Sequence, residues 1–254
     1  MPPQTGCHAA QVDELLPPPR SGRCFRSTRR VRLADADPAQ RLRLDALARL
    51  LQDLGNDDMA DAGLDPSSPW VARRTVVEAR RWPRLGERLV LETWCGGLGP
   101  RWAERRTSIR SEGSDASVEV ASLWVHLGPG DRPAPLPAAF VDTYGEAAGD
   151  RTVSARLQHR GTPGPGATDR PWPLRSADLD VLEHVNNAAT WQAVEDELWR
   201  RGVVPGRAEL EYRDALDPDD AVVLRSEVGD GELRLWLAVG DEVRASAVVV
   251  ASDG

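Results

Sequence analysis

The chain has 254 residues, 41% apolar and 28% charged, the proportions of an ordinary globular protein and far from those of a disordered one. That length accommodates one large or two small domains, each with a sizeable core. A net charge of −8 argues against nonspecific nucleic-acid binding, and no apolar run approaches the ~20 residues of a membrane helix.

The opening Met1–Cys7 has neither a basic nor an apolar signal region. Cys7, Cys24 and Cys95 form no Cys-x-x-Cys pair and leave an odd one over, which fits a reducing compartment, so a cytoplasmic protein is expected. The charge is uneven: residues 20–110 hold 19 Arg against 12 acidic residues, and the remainder holds 13 against 28. A basic half suits an acidic partner; a plainly solvated surface accounts for it equally well. Every basic residue is Arg and none is Lys, as a GC-rich genome would give.

Residues 1–24, with Pro17-Pro18-Pro19 and no periodicity, read as a mobile leader. A first unit is expected over 25–144. Arg32-Leu-Ala-Asp35-Ala-Asp37 precedes a helical face at Leu44, Leu47, Leu51 and Leu54, and strands follow over 71–78, 89–95, 103–110 and 118–126. Residues 145–169, including Gly161-Thr-Pro-Gly-Pro-Gly166, read as a linker. A second unit over 170–254 repeats the plan. Arg175-Ser-Ala-Asp178-Leu-Asp180 precedes a helical face at Ala188, Trp191, Val194 and Leu198, and strands follow over 208–213, 222–228, 232–239 and 243–251. The two helical faces agree to within about one residue of phase, so the chain carries an internal repeat of roughly 143 residues. One helix followed by consecutive antiparallel strands requires a sheet curled round the helix, an α+β architecture.

The second repeat holds a reactive set. Asp180, His184, Asn186 and Asn187 place a carboxylate, an imidazole and two amides directly before a helix. Opening a thioester needs a base for water or a carboxylate nucleophile, with donors for the oxyanion. Asp180 is the candidate base or nucleophile. His184 is placed to orient water or substrate, or to shuttle a proton to the leaving thiolate. Backbone N–H groups over Val185 to Asn187 are candidate oxyanion or substrate-positioning donors, and Asn186 or Asn187 either caps the helix or positions water. The first repeat keeps Asp35 and Asp37 but has Arg41 and no His-Val-Asn-Asn.

These residues resemble the signature of the acyl-acyl carrier protein thioesterases, within the hot-dog-fold superfamily. Arg74 to Trp94, with its Trp82-Pro83-x-x-Gly86 turn, looks like that family's first-half strand pair. Val120 to Val125 is similar to the strand that ends its first hot dog, and Leu210-Glu-Tyr212-Arg213 to the strand after its second helix. The resemblance implies a double hot-dog fold, two repeats paired as a pseudo-dimer within one chain, with a further homodimer left open. It implies hydrolysis of acyl-acyl carrier protein to free fatty acid and carrier thiol, as in fatty acid biosynthesis, without cofactor or metal. It also implies that the first repeat houses much of the acyl tail and the second supplies the reactive residues, Asp180, His184 and Asn186. Plant members carry Asn where this chain has Leu182, and Glu-Cys where it has Ala215-Leu216. A cysteine nucleophile is therefore unavailable there, and Asp180 must dominate.

Trp94, Trp102, Trp124 and Trp236 read as core or pocket wall. His8, His126 and His159 share no metal-ligand spacing, so no metal is expected. The pairs Arg29-Arg30, Arg73-Arg74, Arg80-Arg81 and Arg105-Arg106 read mostly as solvated, with some candidates to grip a phosphate or a carrier-protein carboxylate, and Glu195-Asp-Glu197 reads as the wet face of its helix. An acyl-CoA thioesterase, a catalytically weak acyl-binding protein and a hot-dog dehydratase or hydratase are the rival readings; no motif favours the last.

Overall fold

The computed structural model describes residues 17–65, 68–181 and 183–252. The first half contains β1 (Cys24–Arg30), α1 (Leu44–Asp61), β2 (Trp70–Arg81), β3 (Arg88–Leu98), β4 (Trp102–Ser111), β5 (Ser117–Gly128), the two-residue β6 (Arg132–Pro133) and α2 (Ala138–Ala148). The second contains β7 (Thr168–Pro171), α3 (Asn187–Arg201), β8 (Pro205–Tyr212), β9 (Val222–Gly229), β10 (Glu232–Val239) and β11 (Glu242–Ala251). The strands form one sheet in the order β1-β3-β4-β5-β2-β8-β11-β10-β9-β7, with β6 beside β5. Neighbouring strands all run antiparallel among the described residues.

The halves join where β2 meets β8, Arg74 opposite Glu211 through Glu78 opposite Arg207. Each half is thus a sheet around its own helix, sharing one central seam, which is the double hot-dog arrangement. The expected helical faces point inward: Leu44, Leu47 and Leu54 on α1, and Trp191, Val194 and Leu198 on α3, pack in one core with Leu89, Leu91, Ile109, Leu210, Leu224 and Leu235 from the strands, while Ala188 is buried outside that cluster and Leu51 is partly buried against it. α3 is stopped by Gly202, whose left-handed conformation (φ 64°) lets its N–H reach back to Leu198 and Trp199.

Several expectations need correction. Residues 1–16 of the expected leader, with Cys7 and His8, lie outside the described residues. The segment 145–169 is not a free connection. Its first four residues finish α2, and residues 151–160 lie against the sheet: the Val153 N–H donates to the Leu98 carbonyl, Trp102 Nε1 to Val153 O, Trp236 Nε1 to Arg160 O, and the N–H groups of Gln158 and His159 to the Glu211 carboxylate. Gly- and Pro-rich composition signals missing regular structure, not missing contacts. Glu195 and Glu197 are buried, because α3 packs against α1 in the core that both share with the strands. Glu195 serves the start of α1, and Glu197 is held by Arg170, Arg201 and Ser226. Arg105 and Arg106 are not solvated either: Arg105 donates to Asp58 at 2.5 Å and Arg106 is 1% exposed, bonded to Glu104 at 2.8 Å.

Two buried polar clusters fix the halves. At the start of α1, the Leu44 N–H donates to Glu195 at 2.9 Å, while Arg41 bridges Glu195 and Asp37. Removing one member of such a buried network strands the others, so Glu195→Ala should lower the unfolding free energy by about 3 kcal/mol, read by denaturant titration, and a change within about 0.5 kcal/mol would contradict this role. At the seam, Glu209 receives Arg74 at 2.5 Å and Arg207 at 3.3 Å, with the His159 ring 3.3 Å away. Burial alone would raise its pKa, but the His159 and Arg74 contacts outweigh it and hold the carboxyl at about 2, below the ordinary 4.5. A depressed folded pKa means that Glu209 stabilises fully above pH 4.5 and that its contribution is lost as pH falls from there toward 2. Thermal unfolding across that window should fall more steeply for the wild type than for Glu209→Gln; parallel curves would rule out the linkage.

Candidate active site

The loops that enter α1 and α3 are copies of each other, bond for bond. In the first, the Asp37 N–H donates to Arg41 O (2.9 Å), Gln40 N–H to Asp37 O (2.8 Å) and Arg43 N–H to Asp35 O (2.9 Å). In the second, the Asp180 N–H donates to His184 O (2.9 Å), Glu183 N–H to Asp180 O (3.0 Å) and Asn186 N–H to Asp178 O (2.8 Å). Gln40 and Glu183 each take the left-handed conformation, φ 67° and 62°, and the bridges Ala36 to Leu42 and Leu179 to Val185 close both loops. Asp180 therefore stands where Asp37 does, His184 where Arg41 does, and Asn186 and Asn187 where Arg43 and Leu44 do.

The same fold carries different chemistry. Around the first loop, Asp37, Arg41 and Glu195 close the start of α1 with buried charge. Around the second, Asn186 caps α3, its side-chain oxygen accepting the Ala188 N–H at 2.8 Å. Of the three expected oxyanion donors, two are engaged: Val185 N–H bonds to Leu216 O at 3.1 Å and Asn186 N–H to Asp178 O. The Asn187 N–H, first in α3, has no acceptor among the described residues, and the Tyr212 hydroxyl holds the Asn187 carbonyl at 3.2 Å. Burial pushes the Tyr212 hydroxyl pKa well up, so it remains a donor.

A cavity of about 480 Å³ opens at this point. Asp180, Val181, Asn186 and Asn187 line it from the second half; all its other lining residues come from the first. Leu51 and Met59 of α1, Trp70, Trp124, Cys95 and Ala103 of the strands, and Phe140 of α2 form its apolar wall, with the Trp70 ring tilted against Phe140 at 4.9 Å between ring centroids. Beyond them Asp58, with no exposed surface, gathers Arg23, Arg105 and the Tyr144 hydroxyl. Burial raises the Cys95 thiol pKa to about 11, so it remains a neutral thiol in the wall.

The loop thus brings Asp180, Asn186 and Asn187 together at the cavity, and leaves the His184 side chain exposed, outside the lining. Leu182 lies outside the described residues. Where plant members of the resembling family carry Cys, Leu216 is a core residue whose carbonyl anchors the loop, and Ala215 is exposed. Of the tryptophans, Trp124 is cavity wall, Trp94 and Trp236 are buried, and Trp102 pins residue 153. His159, Glu209 and Glu211 form the metal-capable group found among the described residues, but Arg74, Arg207 and Arg213 crowd its carboxylates, a setting that repels a cation. Sequence reading missed α2, although Phe140, Tyr144 and Ala148 have helical spacing, and it missed Gln52 on α1, which lines the cavity.

Comparisons agree with this geometry. Residues 22–144 match the acyl-ACP thioesterase N-terminal domain. An uncharacterized protein of Mycobacterium tuberculosis, present in two strains, is 31% identical over 249 residues, covering 95% of this chain and 98% of its own. Among solved structures, the 12:0-ACP thioesterase from Umbellularia californica superposes with a TM-score of 0.75 at 22% identity, over 90% of this chain and 97% of that one. An acyl-ACP thioesterase from Bacteroides thetaiotaomicron superposes with a TM-score of 0.74 at 16% identity, over 90% and 98%. With the family's N-terminal domain matched over residues 22–144 and the double hot-dog fold continuing through the second half, the chain belongs to the acyl-ACP thioesterase family, a family of thioester hydrolases.

Proposed function

We propose that this thioesterase hydrolyses an acyl-acyl carrier protein to a free fatty acid and the carrier thiol, with Asp180 as general base. The observation that carries this reading is the convergence of Asp180, Asn186 and Asn187 on the mouth of a cavity whose apolar wall lies in the other half. The acyl chain lies along Leu51, Met59, Trp70 and Phe140. The thioester carbonyl sits at the start of α3, where the Asn187 N–H and the helix dipole favour negative charge. Asp180 takes a proton from water as the water oxygen attacks the carbonyl carbon, and the negative charge moves to the carbonyl oxygen. The tetrahedral intermediate then collapses, the C–S bond breaks, and the thiolate is protonated. His184, exposed on the solvent side of the same loop, delivers that proton to the departing thiol and recovers it from Asp180 through solvent. The phosphopantetheine arm approaches from that side, and the Arg-rich stretch of residues 20–110 meets an acidic carrier protein.

Thiol release from parallel panels of acyl-carrier protein and acyl-CoA tests this directly. Asp180→Asn should lower kcat by about a hundredfold or more, and His184→Ala by about tenfold. An Asp180→Asn enzyme as fast as wild type would end this mechanism. A folded wild type that releases no thiol from any substrate would replace it with the acyl-binding reading.

A further inference from the structure

The twin loops show which group belongs opposite each helix start. In the first half the leading amide of α1, Leu44 N–H, receives an anionic oxygen, Glu195 Oε2, at 2.9 Å. Glu195 comes from the other helix, α3, nine residues beyond its cap Asn186. Nine residues beyond Arg43, the cap of α1, stands Gln52. The repeat therefore sets Gln52 against the leading amide of α3, Asn187 N–H, as Glu195 is set against Leu44. The cavity bears this out: Gln52 lines it together with Asp180, Asn186 and Asn187, half-buried and with no hydrogen bond among the described residues.

Two replacements accompany one another between the halves, Arg41 by His184 and Glu195 by Gln52, while the aspartate is kept as Asp37 and Asp180. In the first half a carboxylate occupies the leading amide and an arginine neutralises it, so no external oxygen can enter. In the second half the corresponding residue is neutral and its amide nitrogen is a donor. A carboxylate at this point would accept the Asn187 N–H itself. A carboxamide leaves that N–H to the substrate and adds a second donor.

We propose that Gln52, contributed by the first repeat, is a catalytic residue of the site in the second: its Nε2 donates a hydrogen bond to the thioester carbonyl oxygen and, with the Asn187 N–H, holds the oxyanion. Glu195 Oε2 in the other half marks the corresponding oxygen position. This inference rests on the proposed hydrolysis at Asp180, and it makes the active site a joint product of both repeats.

The test uses the full chain and whichever panel thioester the wild type turns over fastest. Gln52→Met keeps the length and removes the hydrogen bond; Gln52→Glu restores the residue type that closes the first half. Loss of an oxyanion donor should lower kcat by about a hundredfold in both variants while KM stays within about threefold. Thermal unfolding should stay at the wild-type temperature for Gln52→Glu, which decides the matter if the Met variant is unstable. Wild-type kcat in either folded variant overturns the proposal, as does a rise in KM with kcat unchanged, which would make Gln52 a tail contact. Those results leave the Asp180 reading standing if Asp180→Asn is inactive. An active Asp180→Asn enzyme, or a wild type that turns over nothing, removes both.

Discussion

The N–H groups at the start of a buried helix must find oxygen, and in this protein the packing of α1 on α3 decides which oxygen that is. Each helix begins in a copy of the same hydrogen-bonded loop, and each start faces the middle of its neighbour. At α1 the need is met inside the protein, by Glu195 from α3. At α3, Asn186 caps the next amide and the leading one opens on the cavity. One backbone design thus yields a sealed structural joint in one half and a helix start open to the cavity in the other. The difference lies in a few side chains set against an unchanged loop.

That arrangement explains why the cavity spans the repeats. A helix start can polarise a carbonyl only where the thioester reaches it, and the tail must then pass into apolar volume. The second half fills its own interior with Trp191, Val194, Leu198 and Leu235. The first half has the space, beside the small separate core that α2 forms on β3 and β4 with Cys95 and Ala103. Buried ion pairs keep this division rigid: Asp58 gathers two arginines and a tyrosine at the far end of α1, and Glu209 and Glu211 tie residues 158–159 across the seam.

Much of this was legible in the sequence. The strands and the two long helices follow apolar periodicity, and the repeat was visible because Asp35 and Asp37 recur as Asp178 and Asp180 ahead of matching helical faces. Asn186 as a cap was readable from its position. What escaped depends on long-range packing. Glu195 and Glu197 have the composition of a wet helix face, and only the contact of α3 with α1 and the sheet reveals them as buried. The pinning of residues 158 and 159 depends on Glu211, some fifty positions away. The loss of the Val185 N–H as a donor depends on Leu216. Gln52 carries no motif of its own, and becomes significant only when the repeat is laid over the contacts of Glu195.

The central claim is that the acyl group enters the first half and presents its carbonyl to the start of the helix in the second. A crystal structure with a non-hydrolysable acyl-pantetheine analogue, the thioester sulfur replaced by methylene, tests it most directly. The account predicts the carbonyl oxygen within hydrogen-bond distance of the Asn187 N–H, the tail beside Trp70 and Phe140, and the pantetheine arm leaving past His184. A tail lodged among the second-half strands, or a carbonyl turned away from α3, would contradict it.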